Sequence, residues 1–354
     1  MFRNFRVKSS LRDYSVIFIE DFKQNIIREK SDKQYFIIDR KIYNLNKNFF
    51  DKNKIKQKSI IIKADENAKS FENFAKYANT LIKLKIDKNS EINLIGGGVI
   101  QDIGAFLSSI LFRGVIYNFY PTTLLAQCDS CIGSKTSINI NSYKNLIGNF
   151  WPPKKVYIDF NFLFSLGISA KKSGIGEMCH YFLYSNIDLF NKFMGDYDKI
   201  LINTQLIHKY IYKSLLIKKN VIQIDEFDNG ERKKFNYGHT FGHAIEALTN
   251  YKINHGQAIT MGMDFANYVS YNYNKLSIEK YELIRALLKK NFSKHNLKKY
   301  SLNKYISILK KDKKNKDSKL GCILFSENEK MHLTYQKFDK SFIQLVQNYF
   351  LLSK

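Results

Sequence analysis

The chain has 354 residues, 44% of them hydrophobic and 15% aromatic, and a formal net charge of +25. This apolar content excludes a disordered chain and predicts one large or two medium globular domains. The lysines are spread along the sequence, and neither a zinc-finger spacing nor an RNA-binding aromatic motif accompanies them. We therefore expect a lysine-rich solvated surface, with some lysines available to line a site for a phosphorylated substrate, and no nucleic-acid partner.

The cysteines and the apolar runs bear on the compartment. Cys128 and Cys131 form a CxxC pair, but there is no second pair to complete a zinc site. No apolar run approaches the roughly 18 residues of a membrane span, and the N-terminus lacks the apolar core of a signal peptide. These features predict a soluble, cytoplasmic protein with reduced cysteines and no membrane partner.

Strand-like and helix-like segments alternate through the first half of the chain. Strand patterns cover 14–19, 34–39, 59–63, 91–95, 115–120 and 156–159, and helical patterns cover 70–84 and 103–111. This alternation predicts a mostly parallel sheet with helices on its faces. After about residue 160 the pattern becomes helical, over 173–194, 199–223, 235–248, 256–273 and 277–291, and 309–319 is typical of an exposed loop. We expect an α/β nucleotide-binding domain over 1–160 and an all-α metal- and substrate-binding domain over 161–354.

Two features of the first half indicate a nucleotide site. Gly96-Gly97-Gly98 lies between a predicted strand and a predicted helix, where backbone N–H groups can approach a phosphate. A tight strand-to-helix turn is the alternative. Asp39 ends a predicted strand, where a carboxylate can hold ribose hydroxyls or simply cap a turn.

A histidine cluster indicates a metal site in the second half. His239 and His243 lie four residues apart and share one face of a helix, and His255 follows after a short loop. One such histidine would more often be a core residue, but three of the seven histidines fall within this short segment. Glu177 is the best candidate for a carboxylate ligand. The pattern indicates a metal-assisted enzyme.

With these residues identified, the chain resembles the 3-dehydroquinate synthase family of sugar-phosphate cyclases, from about residue 14 to 325. The related iron-type alcohol and glycerol dehydrogenases share the glycine turn but not the full set of motifs. The motifs that carry the resemblance are Gly96-Gly97-Gly98-Val99-Ile100-Gln101-Asp102, Arg113-Gly114, Pro121-Thr122-Thr123-Leu124-Leu125-Ala126-Gln127, Lys144-Asn145-Leu146-Ile147-Gly148, Asp225-Glu226, Gly238-His239-Thr240-Phe241-Gly242-His243-Ala244-Ile245-Glu246 and His255-Gly256.

The resemblance implies NAD+ bound by the first domain and a zinc or cobalt ion bound by the second. The implied metal ligands are Glu177, His239 and His255. The implied cofactor contacts are Asp39, Glu66, Lys69, Gly97, Gly98, Asp102, Thr122, Thr123 and Lys144. The implied catalytic and substrate-binding residues are Arg113, Asp129, Lys135, Asn145, His180, Lys218, Arg232, Asn236 and His243. Arg113 would reach into a partner subunit's site, which implies a homodimer, and Lys313 or Lys314 would close on the substrate phosphate.

The implied substrate is a small phosphorylated sugar acid, 3-deoxy-arabino-heptulosonate 7-phosphate, and the implied product is 3-dehydroquinate, on the shikimate route to aromatic amino acids. NAD+ would accept a hydride from a metal-polarised hydroxyl and return it after phosphate leaves, so that the cofactor is regenerated in each turnover. Arg232 and Lys218 would bind the substrate carboxylate, Arg232 through its bidentate fork.

Four positions depart from the family pattern. His180 stands where the family commonly has a lysine, Ser134 follows Gly133 in place of a double glycine, Tyr143 replaces a glycine, and Asp228 replaces a glutamate. They surround the implied substrate rather than NAD+ or the metal. Two alternatives therefore stay open: a diverged cyclase acting on another sugar 7- or 6-phosphate, and a metal- and NAD-dependent polyol dehydrogenase.

Overall fold

A computed structural model describes residues 2–141, 143–312 and 314–352 of the chain. The chain forms two compact units, Met1–Leu166 with Lys218–Phe227, and Gly167–Ile217 with Asp228–Lys354. The domain boundary expected at residue 160 stays a prediction, and it did not include the return of 218–227 to the first unit.

The first unit contains a seven-stranded sheet with the order β1-β2-β9-β6-β5-β3-β4. Its strands are β1 (Phe5–Val7), β2 (Tyr14–Ile19), β3 (Gln34–Asp39), β4 (Ser59–Ile62), β5 (Glu91–Gly96), β6 (Ile116–Pro121) and β9 (Lys155–Asp159). The pairs from β2 to β4 are parallel, and β1 is antiparallel to β2. The predicted mostly parallel sheet is therefore confirmed, while the short strand β1 was not predicted.

Helices and a small hairpin complete this unit. They are α1 (Phe22–Arg28), α2 (Arg40–Leu45), α3 (Lys47–Lys52), α4 (Phe71–Lys83), α5 (Gly98–Ile110) and the hairpin strands β7 (Ile138–Ile140) and β8 (Tyr143–Ile147). Ser70 caps α4 by accepting the N–H of Asn73, and Phe74 and Leu81 on one face of the helix are buried. Helix α5 begins directly after the glycine turn, five residues earlier than predicted. Its first amide groups therefore border that turn.

The second half of the chain is mostly helical. Its elements are α6 (Ile168–Ser185), α7 (Ile187–Gly195), α8 (Tyr197–Ile202), α9 (Thr204–Ile224), α10 (His239–Leu248), α11 (His255–Asn272), α12 (Ile278–Lys289), β10 (Leu320–Phe325), β11 (Met331–Gln336), α13 (Leu302–Lys310) and α14 (Lys340–Leu352). Within the described residues, no helix is long and apolar enough to cross a membrane.

Two details of the helical prediction were wrong. The second unit is not all-α, because β10 and β11 pair as an antiparallel hairpin whose first strand is fully buried. The predicted helix over 173–194 is two helices, because Asn186 leaves the helical conformation and its side chain caps α7 through the N–H of Leu189 at 2.7 Å.

Helices α6 and α11 approach each other through two glycines. A Cβ atom on Gly176 would lie 2.0 Å from the carbonyl oxygen of Gly256, and one on Gly256 would lie 1.8 Å from the carbonyl oxygen of Ser173. These backbones therefore touch only because both residues lack a side chain. The contact places Glu177, next to the first glycine, beside His255, which precedes the second.

This close contact yields a stability prediction. Gly176→Ala should lower the free energy of unfolding by about 1–3 kcal/mol or more, because the added methyl group has to separate two backbones. Urea denaturation of the whole chain measures the loss. Gly195→Ala is the matched control, since a Cβ there meets no atom within 4 Å; it should change stability by less than about 0.5 kcal/mol. Equal stability of the two variants would contradict the prediction.

A buried polar group connects the C-terminal helix to the centre of the second unit. Asp264 on α11 is fully buried and accepts a hydrogen bond from the hydroxyl of Tyr349 on α14 at 2.8 Å. The Nε atom of Arg285 on α12 lies 3.9 Å from the same carboxylate oxygen. Burial raises the pKa of Asp264 to about 6, and the guanidinium of Arg285 opposes that shift.

This pKa predicts a specific pH dependence of stability. An unfolded aspartate loses its proton at about pH 4, whereas folded Asp264 holds its proton until about pH 6. Folding therefore becomes less favourable as the pH rises between these two values, and the loss of stability is constant at higher pH. Asp264→Asn should reduce the loss of stability between pH 4 and 7 by about 1–3 kcal/mol. Urea denaturation at both pH values tests this, with the exposed Asp317→Asn as control. An unchanged pH slope in Asp264→Asn would refute it.

Candidate active site

The predicted histidine cluster forms in the second unit. One ring nitrogen each from His239, His243 and His255 lies within 4.8 Å of the others. Helix α10 presents the first two residues one turn apart, and α11 begins at the third. Glu177 reaches the same point from α6, with its Oε1 2.8 Å from Nε2 of His255 and its Oε2 3.7 Å from Nε2 of His239. The structure therefore brings the three predicted ligands together.

In both His239 and His255, the ring nitrogen that faces away from the cluster, Nδ1, has a hydrogen-bond acceptor. Nδ1 of His239 lies 3.2 Å from the carbonyl oxygen of Tyr237, and Nδ1 of His255 lies 3.0 Å from Oε2 of Glu246. A carbonyl or a carboxylate can only accept, so each Nδ1 carries the proton and donates. In a neutral ring this leaves the lone pair on Nε2, which faces the cluster in both histidines.

The electrostatics differ between the two histidines. Burial lowers the pKa of His239 to about 3, so its ring is neutral, which is the form that binds metals. Burial also opposes a charge on His255, but the carboxylates of Glu246 and Glu177 together raise its pKa well above the usual value. Two imidazoles and one carboxylate are donors that zinc and cobalt accept. The residues therefore fit a divalent ion of this kind.

Two further predicted residues lie around the cluster. His180 is buried on α6, with Nδ1 3.4 Å from Oε2 of Glu177 and its ring packed against Phe235. His243 is exposed, and its ring centroid lies 5.3 Å from that of His239. His180 thus contacts the predicted ligand Glu177 from inside the unit, while His243 can meet a bound molecule from solvent.

The segment that leads into α10 carries the predicted substrate residues of the second unit. Arg232 is buried and Asn236 is partly buried in a 3-10 helix over Glu231–Asn236. Nδ2 of Asn236 donates to the carbonyl oxygen of Lys233 at 3.1 Å. Lys314 is described, with Nζ 3.0 Å from Oδ2 of Asp312, whereas Lys313 lies outside the described residues.

The predicted nucleotide residues follow the carboxyl ends of four neighbouring strands. Asp39 ends β3, the Glu66–Lys69 turn follows β4, Gly97 and Gly98 follow β5, and Thr122 and Thr123 follow β6. Ligands of open α/β sheets bind along this edge. A Cβ atom on Gly97 would lie 2.9 Å from Cγ2 of Thr123, so the glycine permits a tight turn at the start of α5. Asp39 also caps α2 through the N–H of Lys41, as the alternative interpretation expected.

Lys69 is the centre of a polar network at this edge. Its buried Nζ lies 2.7 Å from Oδ2 of Asp102, 2.5 Å from Oδ1 of Asn145 and 3.3 Å from Oγ of Ser137. Burial raises the pKa of Asp102, and the ammonium group of Lys69 opposes the shift. A buried lysine, a carboxylate and an amide together offer donors and acceptors to a nucleotide.

The sequence predicted only some of the residues in a second part of this network. Oε1 of Glu66 accepts from Nδ2 of Asn139 at 2.8 Å and lies 3.9 Å from Nζ of Lys144. Asn139 and Ser137 carried no assignment from the sequence. Their position shortly before the Lys144-Asn145 motif was the available signal, because strands β7 and β8 pair and bring the two segments together.

The remaining predicted residues of the first unit fall into two groups. Lys218 on α9 is buried, and its Nζ donates to Oδ1 of Asp129 at 2.7 Å and to the carbonyl oxygen of Asp129 at 2.8 Å. Asp129 belongs to one turn of π-helix over Ala126–Ser130, a feature often found at functional sites. Lys135 and Arg113 are exposed. These two cations can therefore meet ligands from solvent.

One departure from the family pattern keeps the backbone of the residue it replaces. Ser134 has φ of +63°, in the left-handed region that favours glycine. The serine therefore carries the cost of a conformation that a glycine adopts freely. Tyr143, which also replaces a glycine, begins β8 and is 63% exposed, so its ring reaches solvent.

Solved structures with this fold include two carbocycle-forming synthases and an iron-containing alcohol dehydrogenase. A 2-deoxy-scyllo-inosose synthase complexed with carbaglucose-6-phosphate, NAD+ and Co2+ has a TM-score of 0.82 at 22% identity, covering 98% of this chain and 100% of that one. A 2-epi-5-epi-valiolone synthase from Streptomyces hygroscopicus with NAD+ and Zn2+ bound has a TM-score of 0.82 at 18% identity, covering 96% of both chains. An iron-containing alcohol dehydrogenase has a TM-score of 0.62 at 15% identity over 96% of this chain and 98% of its own. These similarities establish the fold.

The sequence comparisons are more specific. The models for the 3-dehydroquinate synthase N-terminal and C-terminal regions match residues 59–173 and 174–315. The 3-dehydroquinate synthase of Dictyoglomus thermophilum is 34% identical over 350 residues, which is 97% of both chains. That of Alkaliphilus oremlandii is 35% identical over 274 residues, 77% of this chain and 76% of its own. The chain belongs to the 3-dehydroquinate synthase family.

The ligand geometry predicts the effect of removing one histidine. Loss of an outer hydrogen-bond partner costs about 10–100-fold in metal affinity. His239→Ala should weaken zinc binding by more than this, because a direct ligand is lost. The measurement is zinc content and affinity of purified protein after metal removal and reloading. His295→Ala, at an exposed position, is the control and should bind zinc unchanged. Stoichiometric, tight zinc in His239→Ala would remove this residue from the ligand set.

Proposed function

We propose that this chain is a 3-dehydroquinate synthase, which converts 3-deoxy-arabino-heptulosonate 7-phosphate to 3-dehydroquinate and phosphate on the shikimate route to aromatic amino acids. The observation that carries the proposal is the relative of that name, 34% identical across 97% of both chains. The meeting of Glu177, His239 and His255 at one point supports it.

The proposed cofactors are NAD+ and a divalent metal ion, zinc or cobalt. The two cyclase structures contain NAD+ with Co2+ or Zn2+, and the donor set of this chain fits such an ion. When bound, the ion would supply a Lewis acid for a substrate hydroxyl and NAD+ would supply a hydride acceptor. Glu177, His239 and His255 would hold the ion. The network around Lys69 and the glycine turn at Gly97 would hold the dinucleotide.

The side chains of the proposed substrate site divide the remaining work. Arg232 would bind the substrate carboxylate through its planar fork, and Lys218 would add a second positive charge. Lys135 and Asn145 would contact phosphate oxygens. His243 is exposed beside His239, so its ring can exchange a proton with a hydroxyl bound at the cluster.

The proposal extends to assembly and location. Arg113 is exposed and adopts a φ of +61° just after α5, and Ile110, Phe112 and Ile116 around it are 44%, 46% and 38% exposed. An apolar surface of this kind suits a subunit contact. We propose a homodimer in which Arg113 reaches the partner's site, in the cytoplasm.

The second candidate is a diverged cyclase that acts on another sugar 7- or 6-phosphate. The observation in its favour is His180, which contacts Glu177 at a position where the family commonly has a lysine. An imidazole is shorter than a lysine side chain and loses its charge at lower pH, so the substrate group that meets it can differ.

Product analysis distinguishes these candidates. We expect zinc-loaded protein with NAD+ and 3-deoxy-arabino-heptulosonate 7-phosphate to release one phosphate per dehydroquinate with no net NADH, since the hydride returns in each turnover. Glu177→Gln is the control and should be inactive, because it removes an anionic metal ligand.

Two other outcomes contradict the proposal. Folded protein that binds zinc and NAD+ but releases no phosphate would favour the diverged cyclase, which sedoheptulose 7-phosphate and glucose 6-phosphate then test. Net accumulation of NADH would favour a polyol dehydrogenase.

A further inference from the structure

Glu246 is a carboxylate at the histidine cluster without an assigned role. It lies on α10 three residues after His243 and seven after His239, and therefore on the same face of the helix. Its side chain is 13% exposed, and its Oε2 lies 3.0 Å from Nδ1 of His255. Glu246 thus contacts the side of the imidazole that is turned away from Glu177.

We propose that Glu246 is a positioning residue for the metal site: it holds the ring of His255 so that Nε2 is presented to the ion. The inference rests on the proposed metal site and deepens it. Glu246 itself lies behind His255 and acts through that ring.

The two ring nitrogens of His255 have different partners. A carboxylate has no proton to donate at neutral pH, so the contact with Glu246 requires a proton on Nδ1 of His255. With Nδ1 committed to Glu246, Nε2 is the ring nitrogen left to bind the ion, and it lies 2.8 Å from Oε1 of Glu177, the second proposed ligand. Without Glu246, a proton on Nε2 and a rotated ring become competing states that cannot bind the ion.

The need for a side-chain partner is specific to His255. His239 donates to the carbonyl oxygen of Tyr237, a backbone group in the turn before its own helix. His255 is the first residue of α11, and its side chain is 33% exposed compared with 14% for His239. Both histidines begin a helix, and the more exposed of the two is the one whose orientation depends on a separate carboxylate.

The test compares zinc binding in two substitutions at one position. Glu246→Ala removes the acceptor and should weaken zinc affinity about 10–100-fold, with faster release. Glu246→Gln keeps an acceptor oxygen and should retain most of the affinity. Competition with a chromogenic chelator measures affinity, and the visible spectrum of the Co2+-loaded protein reports ligand geometry. Glu282→Ala, an exposed carboxylate on α12, should behave as the unchanged chain.

A double substitution separates positioning from general stability. If Glu246 acts through His255, adding Glu246→Ala to His255→Ala should change the remaining zinc affinity by less than about 3-fold, because coupled residues are not additive. Additive losses, equal losses in the Ala and Gln variants, or unchanged zinc affinity in Glu246→Ala would each overturn the inference.

The measurement is independent of the reaction. It uses the full chain with zinc alone, without NAD+ or sugar phosphate. A chain that binds zinc as described but makes no dehydroquinate would therefore refute the proposed function and leave the role of Glu246 intact. Failure of the unchanged chain to bind zinc would refute the metal site and this inference together.

Discussion

The contact between α6 and α11 is the constraint on which the proposed metal site depends. The two backbones touch at Gly176 and Gly256, and Glu177 and His255 lie next to these glycines in sequence. This close approach places the Glu177 carboxylate and the His255 imidazole side by side, 2.8 Å apart. The glycines therefore serve the proposed site through packing.

Burial and neighbouring charges together set the charge of the titratable groups in this structure. The ring of His239 is held neutral because it is desolvated. His255 is partly exposed, and the two carboxylates that face it favour its charged form. The same balance operates at the sheet edge, where Asp102 is desolvated and Lys69 offsets part of the cost. At both places a charged group lies beside a partner of opposite charge, which offsets part of the cost of burial.

The parallel sheet explains why residues far apart in sequence converge. Strands β4, β3, β5 and β6 are neighbours, and the chain enters all four from the same edge. The polar turns at the carboxyl ends of these strands therefore lie along one edge of the sheet, from Asp39 to Thr123. The hairpin of β7 and β8 then adds Asn139 and Asn145 to this edge. The sheet topology, rather than any one of these side chains, therefore creates the polar surroundings at this edge.

The sequence by itself determined the strand and helix periodicity, the glycine turn, the i, i+4 histidines and, through its motifs, the family. It could not determine the return of 218–227 to the first unit, the break at Asn186 or the hairpin of β10 and β11. The return of 218–227 and the hairpin depend on contacts between distant segments, and a short buried strand such as β10 has no periodicity of its own. Tertiary structure alone decided that Glu246 lies behind His255 and that Asn139 joins Glu66, because spacing along the chain does not show which side chains face each other across a loop.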